Sequence, residues 1–199
     1  MFEKQNEKEF NVILDLDNTI ICAVEMDYYK LKKDNMAILD ANLKYEDFEN
    51  AYRIYQRPHL EEFLSFVFRN FNVAIFTAAS KDYGLFILDN IIRKIIPDQE
   101  LSFFFYDYHT DLSRKYYKSP KDLRLLWQNF PTTFEQHNTI IIDDLKDVKV
   151  ANGFNCINIK GFEVIDENYE KEEDFKVNKH SILDNELLHV IECIKLMML

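Results

Sequence analysis

The chain has 199 residues, 47% of them hydrophobic and 15% aromatic, enough apolar side chain for one α/β domain and too much for a disordered polypeptide. Its formal net charge of −11 weighs against general nucleic-acid binding. With three glycines and four prolines there is no flexible linker, and residues 1–199 read as a single domain.

Cys22, Cys156 and Cys193 are too few and too scattered for a disulfide framework or a CxxC metal site, and they fit a reducing compartment. The N-terminal residues are charged where a signal peptide needs an apolar core, and no apolar run is long enough to span a bilayer. The expectation is a soluble intracellular protein, nuclear or cytoplasmic.

The first element is the run Val12-Ile-Leu-Asp-Leu-Asp-Asn-Thr-Ile20, a short apolar stretch of the kind that forms a buried parallel strand. Asp15 and Asp17 stand at its end, one residue apart. Two carboxylates this close repel, so the pair calls for a divalent cation, a retained proton, or both. Residues 21–56 are rich in Tyr and Asp, with apolar patches at Met36–Leu39 and Tyr52–Tyr55, and read as a small hairpin-like insertion.

Pro58 suits the first turn of a helix whose stripe is Leu60, Phe63, Leu64 and Val67. A strand at Asn72–Phe76 follows, and Ser80 caps a helix running to about Ile96 before Pro97 stops it. Phe103–Tyr106 is a third strand. Ser119-Pro-Lys-Asp122 has the form of a helix start, with Ser as N-cap, Pro first and an acid third, for a helix running to about Asn129. Thr139–Ile142 and Asn155–Ile159 are the fourth and fifth strands, and 180–199 a terminal helix; the acidic run Asp166–Asp174 reads as a solvated loop. Strands alternating with helices predict a Rossmann-like parallel sheet flanked by helices, with right-handed crossovers.

In such a sheet the strand ends share one edge, where ligands bind. Asp15 and Asp17, Thr77, Lys121, and the pair Asp143 and Asp144 all fall there, giving one cleft four carboxylates, a hydroxyl and an ammonium. That set suits magnesium and a phosphoryl group. Lys121 would oppose the macrodipole in the first turn of its helix, a placement that needs another reason, while Lys118 and the run Thr110–Arg114 compete for its role. Arg57 reads as structural, and the five histidines show no metal-ligand spacing.

The order DLDNT, FTAAS, a lysine in KDLRLLW and then IIIDD resembles the four motifs of the haloacid dehalogenase superfamily. Arg57-Pro-His-Leu-Glu-Glu-Phe-Leu64 followed by Phe76-Thr-Ala-Ala-Ser80 resembles, more narrowly, the RNA polymerase II C-terminal-domain (CTD) phosphatases, or NLI-interacting-factor-like phosphatases. The stretch from Lys121 to Asp144 is most similar to the ubiquitin-like-domain CTD phosphatase branch, without that domain. The resemblance implies Asp15 as nucleophile forming an aspartyl-phosphate, Asp17 as acid and base, Thr77 and Lys121 as phosphoryl ligands, and Asp15, Asp17, Asp143 and Asp144 as the Mg2+ site. It selects Lys121 over its competitors by the interval to the acidic pair, 143 − 121 = 22. No large cap domain fits in this sequence, so the cleft should be open to a phosphorylated protein or peptide. Phosphatases of nucleic-acid ends or small phosphoesters, and a non-catalytic binding module, are the alternatives. Arg114, Lys115 and Lys118 beside Tyr116 and Tyr117 would form a basic, aromatic rim, or an ordinary exposed loop.

Overall fold

The structure, a computed structural model, describes residues 8–165 and 177–197. Its centre is β1 (Asn11–Leu14), every residue of which is buried. The chain then forms an insertion of β2 (Ile21–Glu25), α1 (Met26–Leu31), α2 (Lys33–Asn42), β3 (Tyr45–Phe48) and β4 (Tyr52–Gln56). From there it alternates: α3 (Leu60–Asn70), β5 (Asn72–Phe76), α4 (Lys81–Ile87) with a π-helical turn at Leu88–Ile92 leading into α5 (Arg93–Ile95), then β6 (Phe103–Phe105) and α6 (Asp107–Tyr117). The remaining elements are α7 (Arg124–Asn129), β7 (Thr139–Asp143), α8 (Lys146–Asn152), β8 (Cys156–Asn158) and α9 (Glu186–Met197).

Five strands form one sheet in the order β6-β5-β1-β7-β8, and all of its pairings are parallel. Side chains alternate across it. Val12, Leu14, Val73, Ile75 and Ile142 pack with α3, α4 and α9 on one face, while Ile13, Ala74, Phe76, Phe105 and Ile141 pack with α7 and α8 on the other. This is the α/β, Rossmann-like fold expected from the alternating pattern, with no large cap among the described residues. Leu14 is level with both Ile75 and Ile142, so Asp15, just past β1, and Asp143, at the end of β7, reach the same edge, with Thr77 just past the end of β5.

Several elements differ from expectation. The insertion is no simple hairpin but an antiparallel sheet, β2-β4-β3, carrying two helices. Its interior pins one acid: Asp40 accepts from Tyr29 Oη and Tyr55 Oη, each at 2.6 Å, and from Arg53 Nη1 at 2.9 Å. That network lets an otherwise polar segment close over Met36, Leu39 and Tyr55. α3 starts at Leu60, not in the turn at Pro58, because His59 takes a left-handed conformation with φ 63°. Ser80 does cap its helix, accepting from Tyr83 N at 3.4 Å. The last helix starts at Glu186, six residues later than expected, after a 3-10 turn at Lys179–Leu183. The acidic run Asp166–Asp174 lies outside the described residues.

Arg57 is as structural as its sequence context suggests, but it does more than start a helix. It is 1% exposed. It forks onto Asp184 at 2.8 and 2.9 Å and donates at 2.8 Å to both Thr19 O and Lys160 O. One guanidinium thus joins the loop after β1, the segment after β8 and the approach to α9.

Candidate active site

β1 carries its parallel pairing one residue past the strand: Asp15 N donates to Ile142 O at 3.1 Å, which sets Asp15 beside the end of β7. The chain turns at once. The amides of Thr19, Ile20 and Ile21 converge on Leu16 O at 3.2, 2.9 and 3.2 Å, and Asn18 takes φ 56°. Leu16 packs into the core, whereas the Asp15 carboxylate meets Lys121 and that of Asp17 meets Tyr83.

Lys121 Nζ lies 2.5 Å from Asp15 Oδ1 and 2.7 Å from Asp143 Oδ2. All three residues are at most 4% exposed. Their other oxygens are occupied as well: Thr19 Oγ1 donates to Asp15 Oδ2 at 3.1 Å, and Leu145 N to Asp143 Oδ1 at 2.8 Å. Burial alone would lower the Lys121 pKa, but the two flanking carboxylates overcome it and the value is raised, so the ammonium keeps its charge. Burial and then the charge of Asp15 push Asp143 up to about 7 against the pull of Lys121. Asp144 is also raised, by burial first and Asp15 second.

The helix start expected at Ser119 does not form, and Lys121 sits in a turn before α7. α6 ends at Lys118 in a left-handed conformation, and Ser119 gives its carbonyl to Ser113 Oγ at 2.7 Å. The same hydroxyl accepts from Asp122 N at 2.8 Å, while Asn152 bridges Lys121 O and Leu123 N at 2.8 and 2.9 Å. Lys121 therefore faces no macrodipole of its own. Ser113 and Asn152 fix its backbone, and two carboxylates hold its head.

Thr77 follows β5, extending the sheet through Thr77 N to Phe105 O at 3.0 Å. Its Oγ1 accepts from Ala79 N at 3.0 Å, and Thr110 Oγ1 donates to its carbonyl at 3.0 Å. Among the described residues nothing takes the proton of its hydroxyl, which is left to donate to an anion.

Asp15, Asp143 and Asp144 each offer an oxygen within 4.8 Å of the others. An all-oxygen set of this kind fits a hard cation such as Mg2+. The Asp17 side chain, expected among the metal carboxylates, is not in that group. Its Oδ1 instead accepts from Tyr83 Oη at 2.7 Å, and burial raises its pKa to about 6, against the hydrogen bond from Tyr83. Tyr83 is the site residue that sequence reasoning missed. Its signal was a phenol one helical turn beyond the Ser80 cap, on the helix that leaves the Thr77 strand.

The expected basic rim lies at the exposed end of α6, with its groups engaged locally. Arg114 pairs with Asp111 at 3.2 Å, Lys115 Nζ stands 5.2 Å over the ring of Tyr116, and Lys118 Nζ donates to Lys115 O. Among the described residues no helix is long and apolar enough to cross a membrane.

The family model of the NLI interacting factor-like phosphatases matches residues 10–197. A putative CTD phosphatase-like protein of invertebrate iridescent virus 3 is 36% identical over 163 residues, covering 79% of this chain and 87% of its own length. Its counterpart in invertebrate iridescent virus 6 is 36% identical over 172 residues, 82% of this chain and 92% of the relative. Among solved structures, Fcp1, an essential RNA polymerase II CTD phosphatase, shares the fold with a TM-score of 0.64 at 21% identity. That match covers 95% of this chain, which spans 62% of the Fcp1 chain.

Proposed function

The chain belongs to the NLI interacting factor-like phosphatase family, and from that premise we propose a magnesium-dependent phosphatase acting on phosphoserine or phosphothreonine in a protein. The observation that carries this reading is the shared ammonium of Lys121 between Asp15 and Asp143, beside a three-carboxylate group. One buried carboxylate thereby stands beside a fixed ammonium and beside acids suited to a cation, the positive charge a phosphoryl dianion needs on approach.

Asp15 attacks phosphorus and forms an aspartyl-phosphate. As the ester bond breaks, Asp17 gives its proton to the leaving oxygen, which departs as the free hydroxyl. Burial supports that role, since a carboxyl with a pKa of about 6 still holds a proton in part of the molecules near neutral pH. The Asp17 carboxylate then takes a proton from the water that attacks phosphorus, and phosphate leaves. Lys121 and Thr77 hold the phosphoryl oxygens, by charge and by the free hydroxyl proton respectively. Asp15, Asp143 and Asp144 would hold Mg2+, which would supply Lewis-acid neutralisation of the phosphoryl charge.

An edge without a large cap suits a phosphate borne on a protein, and the CTD phosphatase-like names of the relatives suggest a polymerase tail as the substrate. The net charge of −11 disfavours nucleic-acid ends. The test is hydrolysis of p-nitrophenyl phosphate with and without Mg2+, by the wild type and Asp15→Asn, followed by a panel of phosphopeptides. Metal-dependent turnover lost in the variant is expected. An inert wild type would sink the enzyme reading, and turnover confined to nucleotides or DNA ends would overturn the substrate.

A further inference from the structure

Tyr83 joins the insertion to the edge of the sheet. Its hydroxyl donates to Asp17 Oδ1 at 2.7 Å. Its ring meets Phe48 of β3 edge-on at 5.5 Å and Tyr52 of β4 at 6.0 Å. Phe48 in turn packs against Phe86, one helical turn further along α4, at 4.9 Å. The phenol is 7% exposed and fully built into this contact.

A carboxyl group that must hand over a proton has two oxygens, and only one of them can carry it. A phenol donating to Oδ1 occupies that oxygen as an acceptor, which leaves the acidic proton on Oδ2. It also fixes the plane of the carboxyl, because a quarter-turn about the last side-chain bond would break the 2.7 Å contact. We propose that Tyr83 is the positioning residue for proton transfer by Asp17, and that the insertion, through Phe48 and Tyr52, holds Tyr83 in place. This rests on the phosphatase reading and deepens it. The insertion then has a task at the site: it aims the acid.

The proton matters in proportion to the basicity of the leaving oxygen. A serine alkoxide needs protonation as its bond to phosphorus breaks, whereas a dinitrophenolate leaves without it. Tyr83→Phe keeps the ring against Phe48 and Tyr52 and removes only the donor. In Mg2+-containing buffer, its kcat/KM on a phosphoserine peptide, which reports phosphoryl transfer to Asp15 and not the later hydrolysis common to both esters, is expected to fall about tenfold or more, while kcat/KM on 2,4-dinitrophenyl phosphate falls less than about threefold. Phe48→Leu, which leaves the hydroxyl present and loosens its seat, is expected to give the same split to a smaller degree. Thermal melting of both variants separates this pattern from simple loss of fold. Equal losses on the two esters, or no loss on either, would overturn the role of Tyr83. A wild type inert toward both esters would instead overturn the phosphatase reading, and this inference with it.

Discussion

Replacing Lys121 with Met keeps the length of the side chain and removes the ammonium that Asp15 Oδ1 meets at 2.5 Å and Asp143 Oδ2 at 2.7 Å. Two carboxylates that are 4% and 0% exposed then face each other without a counter-charge. Breaking a buried ion pair in this way costs about 3–5 kcal/mol, or roughly 10 °C in melting temperature for a chain of this size. The sign of the pH dependence follows from Asp143, whose pKa is raised to about 7 by burial first and Asp15 second. A carboxyl with a raised folded pKa contributes stability that is fully present below its unfolded value, about 4, and lost as pH rises through the folded one. Lys121 opposes that rise, so its removal moves the Asp143 pKa further upward. The penalty is therefore greatest above about pH 7 and shrinks toward about pH 5, where Asp143 folds neutral. Melting curves of both proteins across that range, in EDTA, measure it. An equal gap at both ends of the range, or no gap at the alkaline end, would refute the reasoning.

Three other perturbations have defined outcomes. In the wild type, Mg2+ at a hundredfold excess over its dissociation constant should add about 2.7 kcal/mol of stability, and Asp144→Asn should lose most of that gain; equal gains in the two would count against Asp144 as a ligand. Arg57→Lys cannot reproduce the fork onto Asp184 while also reaching Thr19 O and Lys160 O, and should lower stability by about 3 kcal/mol in urea unfolding. An unchanged midpoint would show that the fork contributes little. Gly84→Ala would set a Cβ 2.5 Å from Phe104 Cζ. Better helix propensity returns about 1 kcal/mol against about 1–3 kcal/mol of overpacking, so a net loss in melting temperature is expected, and a gain would mean that Phe104 swings clear.

What could be read in the sequence depended on whether apolar side chains marked the element. β1 and β7 were legible because their apolar runs end in Asp15 and in Asp143-Asp144, and buried parallel strands need such runs. α6 was not. Its buried residues are Thr110 and Ser113, which face inward to serve Thr77 O and the Lys121 turn, so the helix shows no apolar stripe. α8 hides for a similar reason, burying Val148 and Asn152. Ser119-Pro-Lys-Asp122 carries every local mark of a helix start, yet the tertiary demand to bury the Lys121 head between two carboxylates keeps it a turn. Within the insertion, Asp40 reads as a surface acid until Tyr29, Arg53 and Tyr55 are folded around it. The candidate site residues could thus be listed as residue types at strand ends and in the turn of Lys121, whereas Tyr83 depends on a contact across 66 residues of chain.

The account turns on a covalent bond between Asp15 and phosphorus. Quenching the enzyme in mid-turnover on a phosphopeptide, reducing it with borohydride and sequencing the product by mass spectrometry tests this most directly. An acyl phosphate is reduced to the alcohol, so the account predicts homoserine at position 15 in the wild type with substrate, and none without substrate or in Asp15→Asn. Reduction at another carboxylate, or continued turnover with no reduced residue at position 15, would contradict it.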